Sequence, residues 1–179
     1  MNERRTSGIG GIATKYGLIL GVLSFVVFLA MILTGSRQNW LSTVIMAALV
    51  IALMILAHQE FKKTHDGMMS YGQALGAGTL LASVAALVKC IFMYVYVAYI
   101  NTGFFAAAIR MQRAAIQARG VTPEQAQRAM SLTAPLMTPV GLVVISLITG
   151  IIGGFIVALI VSIFTQKSDG ASDGSRPLG

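Results

Sequence analysis

Four apolar stretches, each close to or above the length of a membrane-spanning helix, dominate this chain of 179 residues. They cover residues 17–34, 41–57, 73–100 and 140–165. The hydrocarbon core of a bilayer is about 30 Å thick, and a helix needs about 20 apolar residues to cross it. Because lipid offers the backbone no hydrogen-bond partner, such segments must be helices rather than open strands. The pattern therefore predicts an all-α integral membrane protein with a bundle of four transmembrane helices.

The composition excludes most soluble classes of protein. Hydrophobic residues make up 56% of the chain and charged residues 11%, whereas a soluble domain has about 25% charged residues. The net charge is +7, and basic membrane proteins direct such an excess toward lipid head groups and topology. Nucleic-acid binding would need a basic face with interleaved aromatic or motif residues, and the sequence shows no such face. We therefore expect membrane lipid as a partner and no nucleic acid.

The N-terminal region reads as a short basic segment, residues 1–15, followed directly by the first span. This span exceeds the 7–15 apolar residues of a signal peptide, and no small-residue cleavage site follows it. A polar turn at residues 34–39 leads to Trp40, a residue type that favours the membrane interface. The first two spans are therefore predicted to form an antiparallel helical hairpin.

The connector between the second and third spans, residues 58–67, contains both histidines of the chain, His58 and His65. Glu60 and Asp66 would complete a metal-ligand set on paper, but the spacing matches no standard motif. We therefore expect a solvated loop in this connector, and neither a metal nor a cofactor in the protein.

Lys89 is the one charged residue inside the third span. A charge at that depth is costly, at about 3 kcal/mol on insertion scales, and often marks a functional site. In one interpretation the lipid-crossing part ends near Lys89, whose amine snorkels toward head groups beside Tyr94, Tyr96 and Tyr99. In a second interpretation Lys89 faces the bundle interior, and in a third it handles solute or protons. We expect snorkelling.

A helical hairpin outside the lipid core is predicted for residues 104–134. Thr122 can cap a helix that begins at Pro123, with Gln125 reaching back to the cap, and Gly120 suits the end of a preceding helix. The hairpin carries a basic surface formed by Arg110, Arg113, Arg119 and Arg128. A basic amphipathic helix of this kind binds a head-group surface or packs on a partner.

The orientation follows from the Lys and Arg residues on each side of the membrane. One side carries Arg4, Arg5, Lys15, Lys62, Lys63, Lys167 and Arg176. The other side carries Arg37, Arg110, Arg113, Arg119 and Arg128. This excess predicts both termini in the cytoplasm. The tail, residues 168–179, is rich in Gly, Ser and Asp and is predicted to be disordered.

A short internal similarity links the first and third spans. Both begin with the pattern Tyr-Gly-x-x-Leu-Gly, at residues 16–21 and 71–76. Two parallel two-span halves, as found in some transporters, would explain the match. Close helix packing through small residues explains it too, and we favour that explanation. The glycines expected to pack are Gly17, Gly21, Gly72, Gly76, Gly150, Gly153 and Gly154.

Several short motifs occur in a fixed order along the chain. They are Lys15-Tyr16-Gly17, Glu60-Phe61-Lys62-Lys63, Gly67-Met68-Met69-Ser70-Tyr71-Gly72-Gln73-Ala74-Leu75 and Gly120-Val121-Thr122-Pro123-Glu124-Gln125. In this order the chain resembles, over roughly residues 14–167, the four-span membrane proteins of domain-of-unknown-function family 4199, common in Bacteroidetes. The resemblance implies a protein of the inner membrane of a Gram-negative bacterium. It brings no established activity, cofactor or catalytic residue.

The sequence lacks the motifs that are typical of enzymes. No constellation of nucleophile, base and acid, no phosphate-binding loop and no metal-ligand spacing is visible, so we predict that the protein is not an enzyme. We expect a non-catalytic bundle that binds lipid, a membrane-protein partner or a second copy of itself through the arginine-bearing hairpin. The alternative is a small transporter or channel subunit built of two parallel halves, with Lys89 and Gln73 near the path. A solute path needs several inward polar groups, which favours the first hypothesis.

Overall fold

Six α-helices form the part of the chain that the computed structural model describes, residues 8–34, 40–64, 67–120 and 122–166. They are α1 (Ile9–Leu33), α2 (Trp40–Thr64), α3 (Tyr71–Val95), α4 (Phe104–Ala118), α5 (Pro123–Thr133) and α6 (Pro139–Thr165). A π-helical segment, Tyr96–Ile100, extends α3, and a short 3-10 turn, Ala134–Leu136, follows α5. Within these ranges α1, α2, extended α3 and α6 are long and apolar enough to cross a membrane. The predicted fold class is confirmed.

Some of the sequence expectations concern residues outside the described ranges. These are residues 1–7 of the basic N-terminal segment, residues 35–39 of the polar turn, His65 and Asp66 of the connector, and the tail 168–179. Where the structure describes the chain, two helix ends differ from the predicted ones. Helix α1 begins at Ile9 rather than at residue 17, and α2 ends at Thr64 rather than at residue 57.

The connector after the second span is helical over most of its described length, so the expectation of a solvated loop was wrong. Met54, Ala57, His58 and Phe61 recur at spacings of three and four residues, and all four are buried. This spacing places them on one face of α2. Ala57 and Phe61 pack with residues of α1 and α3 in the larger core cluster. Because this face is buried, α2 continues as a helix beyond the purely apolar run.

Helix α3 lies at the centre of the bundle, with its largest contacts to α1 and α6, and α2 packs more lightly against all three. Its buried face consists mainly of small residues, namely Ala74, Ala77, Gly78, Ala82, Ala85, Ala86 and Cys90, together with the larger Leu81 and Met93. Small side chains allow helix backbones to approach closely, which is how membrane helices gain packing contacts in the absence of a hydrophobic driving force. The alanine-rich face of α3 therefore accounts for its central position.

Helices α1 and α3 run parallel and touch through two glycines of α1. A Cβ at Gly17 would lie 2.8 Å from the backbone oxygen of Leu81, and a Cβ at Gly21 would lie 2.6 Å from the Cβ of Val88. Farther along, the ring of Phe25 stacks on the ring of Phe92. Gly17 and Gly21 thus lie at the helix contact for which the sequence proposed them.

Helix α6 runs antiparallel to α3, and glycines again mark the contact. A Cβ at Gly150 would lie 3.1 Å from that of Ala86, and one at Gly154 would overlap that of Ala82. Gly78 of α3 packs in the same way against Ala158, a contact that the sequence analysis did not identify.

Three of the proposed packing glycines have no such contact. An added Cβ at Gly72, Gly76 or Gly153 would meet no atom within 4 Å. Gly76 is exposed because it lies on the side of α3 away from Ala74 and Gly78. The Tyr-Gly-x-x-Leu-Gly match therefore does not correspond to a repeated contact: its glycines pack in α1 and not in α3.

Candidate functional site

A cavity of about 150 Å³ lies inside the bundle and is lined by residues from all four long helices. Its lining includes Leu20 and Ser24 of α1, Ala47 of α2, Lys89 of α3, and Gly153 and Val157 of α6. We call this space the Lys89 cavity. Apart from Lys89 and Ser24, every lining residue has an apolar side chain or is a glycine. Lys89 therefore lines the interior of the bundle, which favours the second interpretation over the expected snorkelling.

The depth of Lys89 follows from its neighbours in α3. Val88 lies against Gly21, close to the middle of α1, and Phe92 lies against Phe25. The extended helix continues to Ile100, about 16 Å beyond Lys89 at 1.5 Å per residue. Because the Cα–Cβ bond of a helical residue tilts toward the N-terminus, the Lys89 side chain starts toward the bundle centre rather than toward the tyrosines.

Gln73, the other polar residue proposed near a path, does not line the Lys89 cavity. It lies in the first turn of α3, where its backbone N–H donates to Ser70 Oγ at 3.3 Å. Its side-chain oxygen accepts from the Ser70 backbone N–H at 2.9 Å. The two bonds form a capping box. About 24 Å of helix separates Gln73 from Lys89, so the two residues cannot act at one site.

The two polar groups of the Lys89 cavity lack partners within the described chain. No hydrogen bond or ion pair joins Lys89 or Ser24 to another described residue. Glu60 is the one carboxylate in the described parts of the four long helices, and it is bound at the other end of the bundle. The Lys89 ammonium therefore has no counter-ion from these helices.

Glu60 joins α2 to α1 near the bundle end that lies opposite the hairpin. Lys15 Nζ donates to both carboxylate oxygens of Glu60 at 2.9 Å, and Tyr16 Oη donates to one of them at 2.7 Å. The Lys15 amine also lies 5.1 Å from the centre of the Tyr16 ring. The ion pair is partly exposed, so it orients α1 and α2 more than it stabilises them.

His58 is buried and joins three helices. Its Nε2 lies 3.0 Å from the carbonyl oxygen of Ala74 in α3, and its Nδ1 lies 2.8 Å from Thr165 Oγ1 in α6. This role of His58 was not predicted from the sequence, because the connector was expected to be a loop. Its helical spacing from Met54 and Phe61 is the pattern that indicates burial.

Of the metal-ligand set considered for the connector, the two members that the structure describes, His58 and Glu60, bind other groups. Glu60 binds Lys15 and Tyr16, while His58 binds Ala74 and Thr165. Over residues 8–34, 40–64, 67–120 and 122–166, no three His, Cys, Asp or Glu side chains gather in a way that could hold a metal ion.

The α4–α5 hairpin follows the helix end that carries the aromatic residues. Gly120 adopts a φ of +68° after α4, and α5 begins with the Thr122–Gln125 capping box that the sequence predicts. All four of its arginines, Arg110, Arg113, Arg119 and Arg128, are exposed. None of them forms an ion pair with another described residue. Helix α4 has no buried residue, so the hairpin packs only lightly on the bundle.

An aromatic band marks the end of the bundle from which the hairpin emerges. Trp40 and Tyr99 are 75% and 74% exposed, and Tyr94 packs edge-on against Tyr99. Tyr96 instead turns inward and packs against Phe25 and Phe28. Exposed Trp and Tyr rings favour the head-group level of a bilayer. This end of the bundle therefore corresponds to a membrane interface.

The helix lengths, the small-residue contacts and the aromatic band together define a small multi-pass α-helical membrane protein. Residues 15–167 match the family described as "Protein of unknown function (DUF4199)", and the chain belongs to this family. The family membership inferred from short motifs is thus confirmed. No curated protein and no solved structure matches the chain. Two of the motifs, those around Lys15 and Glu60, meet in the ion pair between α1 and α2.

Proposed function

We propose that the protein is a non-catalytic membrane bundle whose α4–α5 hairpin binds anionic lipid head groups. The observation that carries this proposal is the exposure of all four hairpin arginines without an acidic partner among the described residues. Glu124 is the one acidic residue of the hairpin. A guanidinium group matches phosphate oxygens in a bidentate geometry. The surface is therefore suited to phosphate-bearing lipids.

The arrangement of α4 supports a position at the membrane interface. Phe104, Ala108, Gln112 and Ile116 are partly buried at four-residue spacing, whereas Arg110 and Arg113 are exposed. Helix α4 begins close behind the exposed Tyr94–Tyr99 pair, so its arginines lie near the head-group level. An amphipathic helix with this charge pattern binds anionic lipid surfaces.

The lipid preference of the full chain in nanodiscs tests this proposal. Spin-labelled phosphatidylglycerol and phosphatidylcholine report, by electron paramagnetic resonance, how strongly each lipid is held at the protein surface. We expect wild type to prefer phosphatidylglycerol, and Arg110→Gln/Arg113→Gln to weaken that preference by up to about 30-fold, because each basic residue near an anionic surface contributes about 1 kcal/mol. Added salt should weaken it too, since the Debye length falls to about 3 Å at 1 M.

A matched control separates charge from general damage to the hairpin. Gln117 and Gln127 are exposed and uncharged, so Gln117→Ala/Gln127→Ala should leave the lipid preference unchanged. An unchanged preference in the arginine variant would refute head-group binding. If that variant instead lost a cross-linked dimer, the hairpin would serve self-association.

The proposal also holds that the protein catalyses no reaction. A purified sample that turned over a lipid or peptide substrate, and lost the activity on substitution of one polar residue in a long helix, would overturn this part.

A second candidate function is a small transporter or channel subunit, and the position of Lys89 in an internal cavity favours it. The lining of the Lys89 cavity has few polar groups for a solute path, since Lys89 and Ser24 are its two polar residues. Saturable solute flux in proteoliposomes, abolished by Lys89→Leu, would place transport ahead of head-group binding.

For location, we propose the inner membrane of a Gram-negative bacterium, with both termini in the cytoplasm. The family resemblance supports the membrane, and the excess of Lys and Arg on the side of the termini supports the orientation. Binding of head groups by the hairpin does not depend on which leaflet it faces.

A further inference from the structure

We propose that the Lys89 cavity binds the carboxylate of a single-chain amphiphile, of the class of free fatty acids, which enters from the lipid between α2 and α6. This inference concerns a different surface from the hairpin and does not depend on head-group binding.

Lys89 carries a positive charge inside the bundle. An ammonium group in the membrane interior is costly unless a counter-charge or water compensates it. None of the described parts of the four long helices offers a carboxylate for this purpose, because Glu60 is bound to Lys15 and Tyr16. Lys89 nevertheless lines an internal cavity of about 150 Å³. An anionic ligand in that space would supply the missing charge.

The polar groups of the cavity define the kind of anion. Lys89 provides an ammonium group, and the buried Ser24 provides a hydroxyl that makes no hydrogen bond to another described residue. One positive charge and one hydroxyl donor match a carboxylate, which carries a single charge on two oxygens. A phosphate group would leave further charge and oxygens without partners. The site is therefore suited to a monoanion.

The apolar lining indicates what is attached to the carboxylate. Leu20, Met46, Val50 and Val157 line the cavity together with alanines and glycines. Sites for ligands with an apolar body combine such a lining with a few polar groups that fix orientation. An inorganic anion would leave this lining unused, whereas the first methylenes of an acyl chain would fill it.

The opening between α2 and α6 provides a route from the lipid. Ala47 of α2 and Gly153 of α6 both line the cavity and are also exposed on the bundle surface. The two helices meet farther along, where Met54 packs with Ala158 in the smaller core cluster and His58 bonds to Thr165. Toward Lys89 the space beside Gly153 is open, because a Cβ added at Gly153 would meet no atom within 4 Å. An acyl chain can thus lie across this gap with its carboxylate inside.

The test uses the full chain in phosphatidylcholine nanodiscs, with oleate as the probe and oleyl alcohol as its uncharged analogue. Native mass spectrometry of the released protein counts bound ligand as the probe concentration rises. We expect one saturable oleate site and no such site for oleyl alcohol. Lys89→Leu should weaken oleate binding by about 10- to 100-fold, because this change in affinity corresponds to the loss of one hydrogen bond to a charged group. Lys89→Arg should keep binding within a few-fold of wild type.

A matched pair on α2 tests the opening without altering the charge. Ala47→Leu places bulk at the mouth of the cavity, whereas Ala48→Leu adds the same bulk at an exposed position that does not line it. Ala47→Leu should weaken or slow oleate binding, and Ala48→Leu should not. This pair keeps the test decisive if Lys89→Leu fails to fold.

Three results would overturn the inference. Equal binding of oleate and oleyl alcohol would show that Lys89 does not recognise the carboxylate. Equal effects of Ala47→Leu and Ala48→Leu would exclude entry between α2 and α6. Displacement of oleate by an alkyl phosphate at equal concentration would assign the site to phosphate instead. All three can occur while the hairpin binds head groups as proposed, so failure here leaves that proposal to its own test.

Discussion

Replacing Gly21 by alanine tests whether close contact between α1 and α3 stabilises the bundle. The added Cβ would lie 2.6 Å from Val88 Cβ and 2.9 Å from the backbone oxygen of Ala85, whereas ordinary contact begins at 3.4 Å. Neither neighbour can move aside easily, since one is backbone and the other is a β-branched side chain with a stiff χ1 angle. Helix α1 must therefore shift outward by roughly 0.8 Å to restore an ordinary contact.

Gly153→Ala is the matched control for this substitution. Gly153 also lies in the middle of a long helix, but its Cβ would meet no atom within 4 Å. Both variants gain up to about 1 kcal/mol from the higher helix propensity of alanine, so this gain cancels in their comparison. Overpacking costs about 1–3 kcal/mol. Gly21→Ala should therefore be less stable than Gly153→Ala by about 1–3 kcal/mol.

The lone cysteine of the chain provides the assay. Cys90 is buried in α3, so a thiol reagent labels it at a rate that follows the fraction of molecules whose bundle is open. A difference of 1–3 kcal/mol corresponds to a labelling rate about 5 to 150 times higher for Gly21→Ala than for Gly153→Ala. Equal labelling rates, or slower labelling of Gly21→Ala, would refute the claim that this glycine contact stabilises the bundle.

Two further predictions concern the ends of the bundle. Glu60→Gln should lower the free energy of unfolding by at most about 1 kcal/mol, because the ion pair of Glu60 with Lys15 is partly exposed. His58→Leu should lower it by about 1–3 kcal/mol, because two buried hydrogen bonds are lost. Unfolding in mixed micelles with rising dodecyl sulfate measures both, and equal costs would contradict the ranking. For the orientation, alkaline phosphatase fused after Gly120 should be active and fused after Gly67 inactive; the reverse pattern would place the termini in the periplasm.

Much of this architecture could be predicted from the sequence, for a simple physical reason. In lipid every backbone polar group must be satisfied within its own helix, so apolar length alone determines where a spanning helix must form. The start of α5 could be predicted as well, because the capping box at Thr122 and Gln125 involves only neighbouring residues.

The candidate site could be predicted only in part. The sequence identified Lys89 as an unusual charge but did not indicate the cavity that it lines, because a side chain near the middle of a long helix can lean inward or outward with the same local pattern. The burial of His58 was missed for a related reason, since a polar residue after an apolar run is also typical of a loop. Its partners, Ala74 and Thr165, lie on two other helices.

Apolar length and short-range capping, which the sequence determines by itself, thus specify four spanning helices and a basic hairpin. Tertiary structure alone decided which glycines meet a neighbouring helix, as Gly21 does, and which face outward, as Gly76 does. It also placed Lys89 at a cavity lined by residues from all four long helices. The physical reason is that helix packing depends on the rotation and depth of each helix relative to its neighbours, which long-range contacts set and local sequence does not.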